Sequence, residues 1–184
     1  MEANEWIDLT CHRATHSNAV RSLRASVRRT GAGLAISFRF EGDLSSLHVP
    51  APTTPGIGKE LWRHTCFEAF IAIEGRAPYH EFNFAPSGEW TIYGMRGYRD
   101  GAPLADESMR PEIVVRSTAT QLELDAAVHL DRLSDEHARA PLRVGLYAVI
   151  EADDGFSYWA LMHPASKPDF HNSQGFILRL EPTG

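Results

Sequence analysis

Basic residues are in short supply in this chain: 18 Lys and Arg against 24 Asp and Glu leave a formal charge of −6. A nucleic-acid partner needs clustered Lys and Arg against its phosphates, and this balance argues against one. The one basic cluster, Arg21, Arg24, Arg28 and Arg29, interleaves with Leu23, Ala25 and Val27 and reads as the solvated face of a strand. Cysteine is scarcer still. Cys11 and Cys66 are too few for a disulfide framework and lack a metal-type spacing, so each is expected to behave as a small buried hydrophobe. No run approaches the ~20 apolar residues that span a bilayer, which argues against a membrane partner. The N-terminal stretch MEANEWIDLTCHRATHSN has no basic segment followed by an apolar run, so no secretory signal is read and a cytoplasmic location is expected. Gly-rich phosphate loops and Ser nucleophile elbows are missing too.

What is present describes a globular protein. Hydrophobic residues make up 43% and charged residues 23%, and 184 residues can bury a core without covalent staples, so one domain over 1–184 is expected. Two-residue alternation dominates over helical periodicity. It predicts strands over 5–10, 20–29, 34–41, 65–74, 79–85, 89–97, 112–117, 121–129, 142–151, 156–163 and 175–180. Roughly ten strands at hairpin-like spacing predict an all-β, antiparallel two-sheet sandwich of jelly-roll or immunoglobulin-like type, with little helix. Thr30-Gly31-Ala32-Gly33, Pro86-Ser87-Gly88 and Asp153-Asp154-Gly155 supply hairpin turns. Residues 45–60, with three prolines and two glycines, read as a long irregular loop leading to Trp62. A short helix is expected around Asp131 to Arg139.

The stretch 61–99 concentrates side chains suited to a sugar: flat aromatics for apolar ring faces and fixed polar groups for hydroxyls. Trp62, Glu68, Glu81, Asn83, Trp90, Arg96 and Arg99 all fall in it. Alternation sends Phe67, Ala69, Ile71 and Ile73 to the core and Glu68 to the opposite face, between Cys66 and Phe70. A carboxylate among apolar neighbours is costly unless paired, so Glu68 needs an Arg partner or a ligand hydroxyl. In one continuous strand Trp62 and Glu68 would lie roughly 20 Å apart, and they share a site only if the chain bends near Arg63-His64. Likewise, Phe82 and Phe84 face the core while Glu81 and Asn83 are displayed together. Trp159 alternates with Tyr158 and shares its face with Ser157 and His163, which suggests a second ligand-facing ring. His163, Asp169 and His171 could ligate a metal, and Met95 or Met162 could complete a haem iron, but Asp169 and His171 follow Lys167-Pro168, where turn caps are expected. Glu68 and Glu81 could form a glycosidase pair.

Three motifs then carry a family resemblance. Trp62 leads to Cys66-Phe67-Glu68-x-Phe70; Tyr79-x-Glu81-Phe82-Asn83-Phe84-x-Pro86-x-Gly88-x-Trp90 follows, then Tyr98-Arg99; the chain closes with Tyr158-Trp159-Ala160-Leu161, His163-Pro164 and Pro168-Asp169-Phe170-His171. Together they resemble the DOMON-like proteins, relatives of family 9 carbohydrate-binding modules. The resemblance implies an antiparallel β-sandwich that clamps a small carbohydrate or sugar-like metabolite between Trp62 and Trp159. Glu68 would be the polar partner, with Asn83, Arg96, Arg99 and Glu81 around it, and there would be no catalytic residue and no cofactor. Haem-binding DOMON cytochromes share the fold, so a haem or redox-metal protein is the alternative, with calcium a further possible ion; a carbohydrate-active enzyme using Glu68 and Glu81 is the third reading. Exposed aromatics on an outer strand face suit a sugar or a partner subunit equally, which leaves the oligomeric state open.

Overall fold

The computed structural model describes residues 5–104 and 106–182. Residues 1–4, 105, 183 and 184, including the start of the stretch read for a signal, lie outside the described residues. Within them the alternating segments, with one strand the sequence does not signal, β8, form thirteen strands: β1 (Ile7–Asp8), β2 (Thr10–Cys11), β3 (Val20–Thr30), β4 (Gly33–Gly42), β5 (Cys66–Ile73), β6 (Tyr79–Phe84), β7 (Trp90–Gly97), β8 (Asp100–Pro103), β9 (Glu112–Ser117), β10 (Gln121–His129), β11 (Leu142–Ala152), β12 (Gly155–Ala160) and β13 (Leu178–Leu180). A five-stranded sheet runs β1-β3-β4-β10-β9. An eight-stranded sheet runs β2-β12-β11-β5-β6-β7-β8, with β13 paired to β11. All strand pairs are antiparallel, as the alternation predicts. Helix is confined to short turns and Asp135–Arg139, capped by Ser134, whose hydroxyl accepts from the His137 N–H.

The hairpins form where the glycines allow them. Thr30 pairs with Gly33 across a two-residue loop whose Gly31 has φ +56°, and Ala152 pairs with Gly155, at φ +110°. The single strand expected over 5–10 divides at Leu9. Its first half pairs with β3 and its second with β12, so this short segment ties the two sheets together.

Between the sheets, Leu34, Ile36, Phe38 and Phe40 of β4 meet Phe67, Ala69, Leu146 and Ala148 of the larger sheet. The Phe38 and Phe67 rings stack at 5.0 Å. Full burial of each such Phe contributes about 1.5–3 kcal/mol. The outer face of the smaller sheet is polar, and it accounts for part of the basic cluster. Arg24 pairs with Glu41 at 2.9 Å and Arg39 with Glu123 at 2.6 Å.

The larger sheet is different because its outer face is also covered. Every residue of β5, Cys-Phe-Glu-Ala-Phe-Ile-Ala-Ile, is buried, which fits a central strand packed on both faces. Phe70, Ala72, Tyr79, Tyr147 and Val149 form a second apolar cluster with Phe170 and Phe176, which arrive on the segment between β12 and β13. Phe170 stacks on Tyr147 at 4.5 Å. This cover stops short of part of the outer face, and the gap holds the candidate site.

Candidate functional site

Strand register brings the site together. Across the outer face of the larger sheet, Tyr147 of β11 opposes Glu68 of β5, which opposes Asn83 of β6. In the next row Phe70 opposes Glu81, which opposes Tyr93 of β7; Tyr79 then opposes Met95. Glu68 and Glu81 are therefore diagonal neighbours on one face, within reach of each other. They form the floor of a cavity of about 340 Å³, walled by Trp62, Tyr93, Met95, Arg99, Val149, Tyr158, Phe170 and His171.

Trp62 reaches the cavity by the bend that the sequence requires. Leu61–Arg63 forms a 3-10 turn, entered through Glu60 in the left-handed region at φ 51°. The approach is clamped at both ends. Gly58 N–H donates to the Trp90 carbonyl at 2.9 Å, His64 Nδ1 lies 2.8 Å from Glu151 Oε2, and the Glu151 N–H donates to Thr65 Oγ1 at 3.1 Å. Trp62 stays 43% exposed at the cavity wall, with the Arg63 guanidinium 5.3 Å from its ring centre. Arg99, on the opposite rim, is the other non-glycine residue of the described chain at positive φ, 54°. Such geometry costs on the order of 1 kcal/mol per residue, and here both instances flank one cavity.

The two floor carboxylates differ. Glu81 is 5% exposed and accepts a hydrogen bond from Asn83 Nδ2 at 2.8 Å; its other oxygen lies 3.7 Å from His171 Nε2. Burial pushes its pKa up, offset by the Asn83 hydrogen bond and the Arg99 charge. Glu68 is 2% exposed and has no hydrogen-bond or ion-pair partner among the described residues. Burial first, and the charge of Glu81 second, hold its pKa well above the ordinary carboxylate value.

A hydrogen-bonded chain borders the Glu81 side. The Arg99 N–H donates to the Tyr79 hydroxyl at 3.4 Å, and that hydroxyl lies 2.7 Å from His171 Nδ1. The hydroxyl is thus shared between the Arg99 N–H and Nδ1, and the other ring nitrogen, Nε2, faces Glu81. Burial, helped by Arg99, lowers the His171 pKa to about 4, so the ring is neutral near pH 7. Asp169 ties the rim together by accepting from Arg99 Nη2 at 3.0 Å, the Tyr98 hydroxyl at 2.9 Å and the His171 N–H at 3.2 Å. The last bond is the turn cap expected after Pro168.

Of the residues proposed from sequence, Trp62, Glu68, Glu81 and Arg99 converge on the cavity. Asn83 lies behind it, fully buried, and orients Glu81. Arg96 is elsewhere: its side chain is 82% exposed and pairs with Asp100 at 2.7 Å. Trp90 is a core residue. The expected second tryptophan wall requires correction. Trp159 opposes Ala148, on the face that packs between the sheets, and its indole N–H donates to the buried Ser157 hydroxyl at 2.9 Å. Ser157 marks a satisfied inward indole rather than a ligand face. Tyr158 opposes Val149 on the outer face and supplies the wall instead. Tyr93 and Phe170 have no site role in the sequence reading, and Met95 enters it only as a candidate haem ligand. For Tyr93 the signal was available, since alternation through Trp90 and Ile92 puts it on the face opposite the core.

The possible metal ligands do not converge. His163 Nε2 lies 2.8 Å from the Thr10 carbonyl, near His12, whereas Asp169 and His171 serve the cavity rim. Among the described residues no group of three or more His, Cys, Asp or Glu side chains is arranged to hold a metal ion.

No protein-family profile and no curated protein sequence matches the chain. Solved structures do. A candidate carbohydrate-binding protein from Bacteroides uniformis ATCC 8492 superposes with a TM-score of 0.71 at 15% identity, covering 98% of this chain and 87% of that one. A family 9 carbohydrate-binding module from Caldicellulosiruptor kristjanssonii matches in two complexes. The glucose complex gives a TM-score of 0.56 at 10% identity over 98% and 85% of the two chains, and the cellotriose complex 0.57 at 11% over 98% and 84%. The architecture is the antiparallel β-sandwich of those modules.

Proposed function

We propose that this protein is a non-catalytic module that binds a small carbohydrate or sugar-like metabolite in the cavity on the outer face of the larger sheet. The observation that carries the reading is the union of a partnerless, buried Glu68 with aromatic walls in one cavity. Its volume of about 340 Å³ falls within the ~300–1,000 Å³ of small-molecule sites. Stacking on Trp62 and Tyr158 would supply contact area, while Glu68, Glu81 and Arg99 would fix the ring by its hydroxyls. The fold neighbours solved with glucose and cellotriose support the same ligand class.

Binding is favoured over hydrolysis by the placement of the acids. A two-carboxylate glycosidase needs its acids on either side of the scissile bond. Glu68 and Glu81 rise side by side from adjacent strands on one floor. The haem alternative, which the DOMON resemblance brings with it, is less well supported. Met95 and His171 both border the cavity, but His171 is held by Tyr79, and the volume is small for a porphyrin.

Calorimetric titration with glucose and with cellotriose tests the reading. The wild-type protein is expected to bind at least one, and Trp62→Ala to weaken that binding by ~10-fold or more, the loss of one stacked ring. Unchanged affinity in Trp62→Ala would remove Trp62 from the site.

A further inference from the structure

The charges around the cavity do not balance. Glu68 and Glu81 both face it, and the Glu68 carboxylate has no protein donor among the described residues. Arg99 is the one Lys or Arg among the lining residues, and its guanidinium is already engaged by Asp169 at 3.0 Å and held near the Tyr98 ring and hydroxyl. His171, whose Nδ1 lies 2.7 Å from the Tyr79 hydroxyl, is neutral near pH 7 and contributes no charge. The site sets three acids, Glu68, Glu81 and Asp169, against the single cation Arg99, and ionising the two buried ones would put excess negative charge at its deepest point. Aromatic rings of Trp62, Tyr93, Tyr158 and Phe170 surround that charge.

A neutral sugar corrects only part of this. One hydroxyl would satisfy one Glu68 oxygen but leave two acidic side chains on one buried floor beside a single cation, Arg99, that Asp169 already engages, an arrangement that is stable only if one of them keeps a proton. An ammonium group supplies three donors and the missing charge together, and ring faces attract it further. We propose that the cavity selects an amino sugar, with its ammonium seated on Glu68 beside Glu81 and its ring faces on Trp62 and Tyr158, over the neutral sugar of the same shape. This assignment rests on the carbohydrate reading above and narrows it to a cationic class.

Titration at about pH 6.5, where a sugar amine is protonated, separates the two. Glucosamine, glucose, N-acetylglucosamine and 1,4-diaminobutane are compared on the full chain. Glucosamine is expected to bind at least ~10-fold tighter than glucose or N-acetylglucosamine, the gain of a charge-assisted contact. In Glu68→Gln, which keeps the size of the side chain, that preference is expected to collapse to within about threefold. The wild-type comparison alone decides the matter should the variant fold poorly. Glucose binding as tightly as glucosamine would overturn cation selection and leave the carbohydrate function standing. Binding of 1,4-diaminobutane with no binding of any sugar would overturn the carbohydrate function and the amino-sugar assignment together, and so would the absence of binding by all four.

Discussion

Glu68 is expected to weaken the empty protein, and replacing it should show by how much. The carboxylate is 2% exposed, has no donor among the described residues, and lies diagonally across from Glu81. Leaving a buried charged group unsatisfied costs about 1–3 kcal/mol. Glu68→Gln preserves shape, removes the charge and ends the repulsion with Glu81, so the variant should be more stable at pH 7 by about that amount. For a chain of this length, 1 kcal/mol moves Tm by roughly 2–4 °C, which predicts a rise of roughly 2–12 °C. The sign with pH follows from the raised pKa in the folded state. Below the unfolded value of 4.5 both states are protonated and the penalty is absent. As pH rises the unfolded chain ionises first, and the stabilising protonated form is lost as pH passes the folded value. The ionisable groups facing Glu68 are Glu81 from β6, Cys66 on its own strand and Tyr147 from β11; burial keeps the thiol and the phenol neutral here. Thermal melts of both proteins from about pH 4.5 to pH 8 should therefore converge at the acid end and separate toward neutrality. Parallel curves, or a variant less stable at pH 7, would refute the view that Glu68 is an uncompensated buried acid retained for a ligand.

Three further outcomes follow from the same geometry. The Tyr147 hydroxyl is buried without a partner, wedged where a Cβ at Gly145 or Gly175 would collide with it, so Tyr147→Phe should leave stability unchanged or raise it by about 1–2 kcal/mol in a chemical denaturation series; a loss above ~1 kcal/mol would mean the hydroxyl has an internal role. His80, whose ring faces His137 at 4.8 Å, has its pKa lowered by burial to about 4. Its neutral form belongs to the fold, so stability should fall as pH drops from 6.5 toward about 4, and His80→Gln should flatten that decline in the same melts. At Gly101, a lining residue, an added Cβ would meet the Gly94 carbonyl oxygen and the Met95 sulfur; Gly101→Ala should push β8 off β7, lowering Tm and ligand affinity together, and wild-type behaviour in both would show that the β7–β8 edge is not a wall of the site.

The sandwich and half of the site could be read from sequence because they depend on local alternation. Phe67, Ala69 and Ile71 fix which way Glu68 points, Phe82 and Phe84 do the same for Glu81, and turn glycines fix the hairpin registers. The bend that brings Trp62 to Glu68 was likewise signalled by the Pro- and Gly-rich approach. Features that depend on distant contacts were hidden. Asp100–Pro103 has no apolar alternation and becomes a strand only by pairing with β7. Phe170 lies in a segment without periodicity and Phe176 in one read as a strand over 175–180 that begins only at Leu178, and their role comes from packing against Tyr147 and Phe70, far away in sequence. Ser157 and His163 beside Trp159 read as polar company on a ligand face, whereas Ser157 is a buried partner for an inward indole. Register with β11 settles that face, and no local pattern encodes it.

The central claim is that ligand meets Trp62 and not Trp159, and the indole N–H resonances of the protein report on both. Titration of ¹⁵N-labelled protein with glucosamine, glucose and cellotriose should shift the Trp62 indole signal in proportion to occupancy while leaving the Trp159 signal in place. A Trp62 signal that stays still under all three sugars, or a Trp159 signal that moves in its stead, would contradict the account.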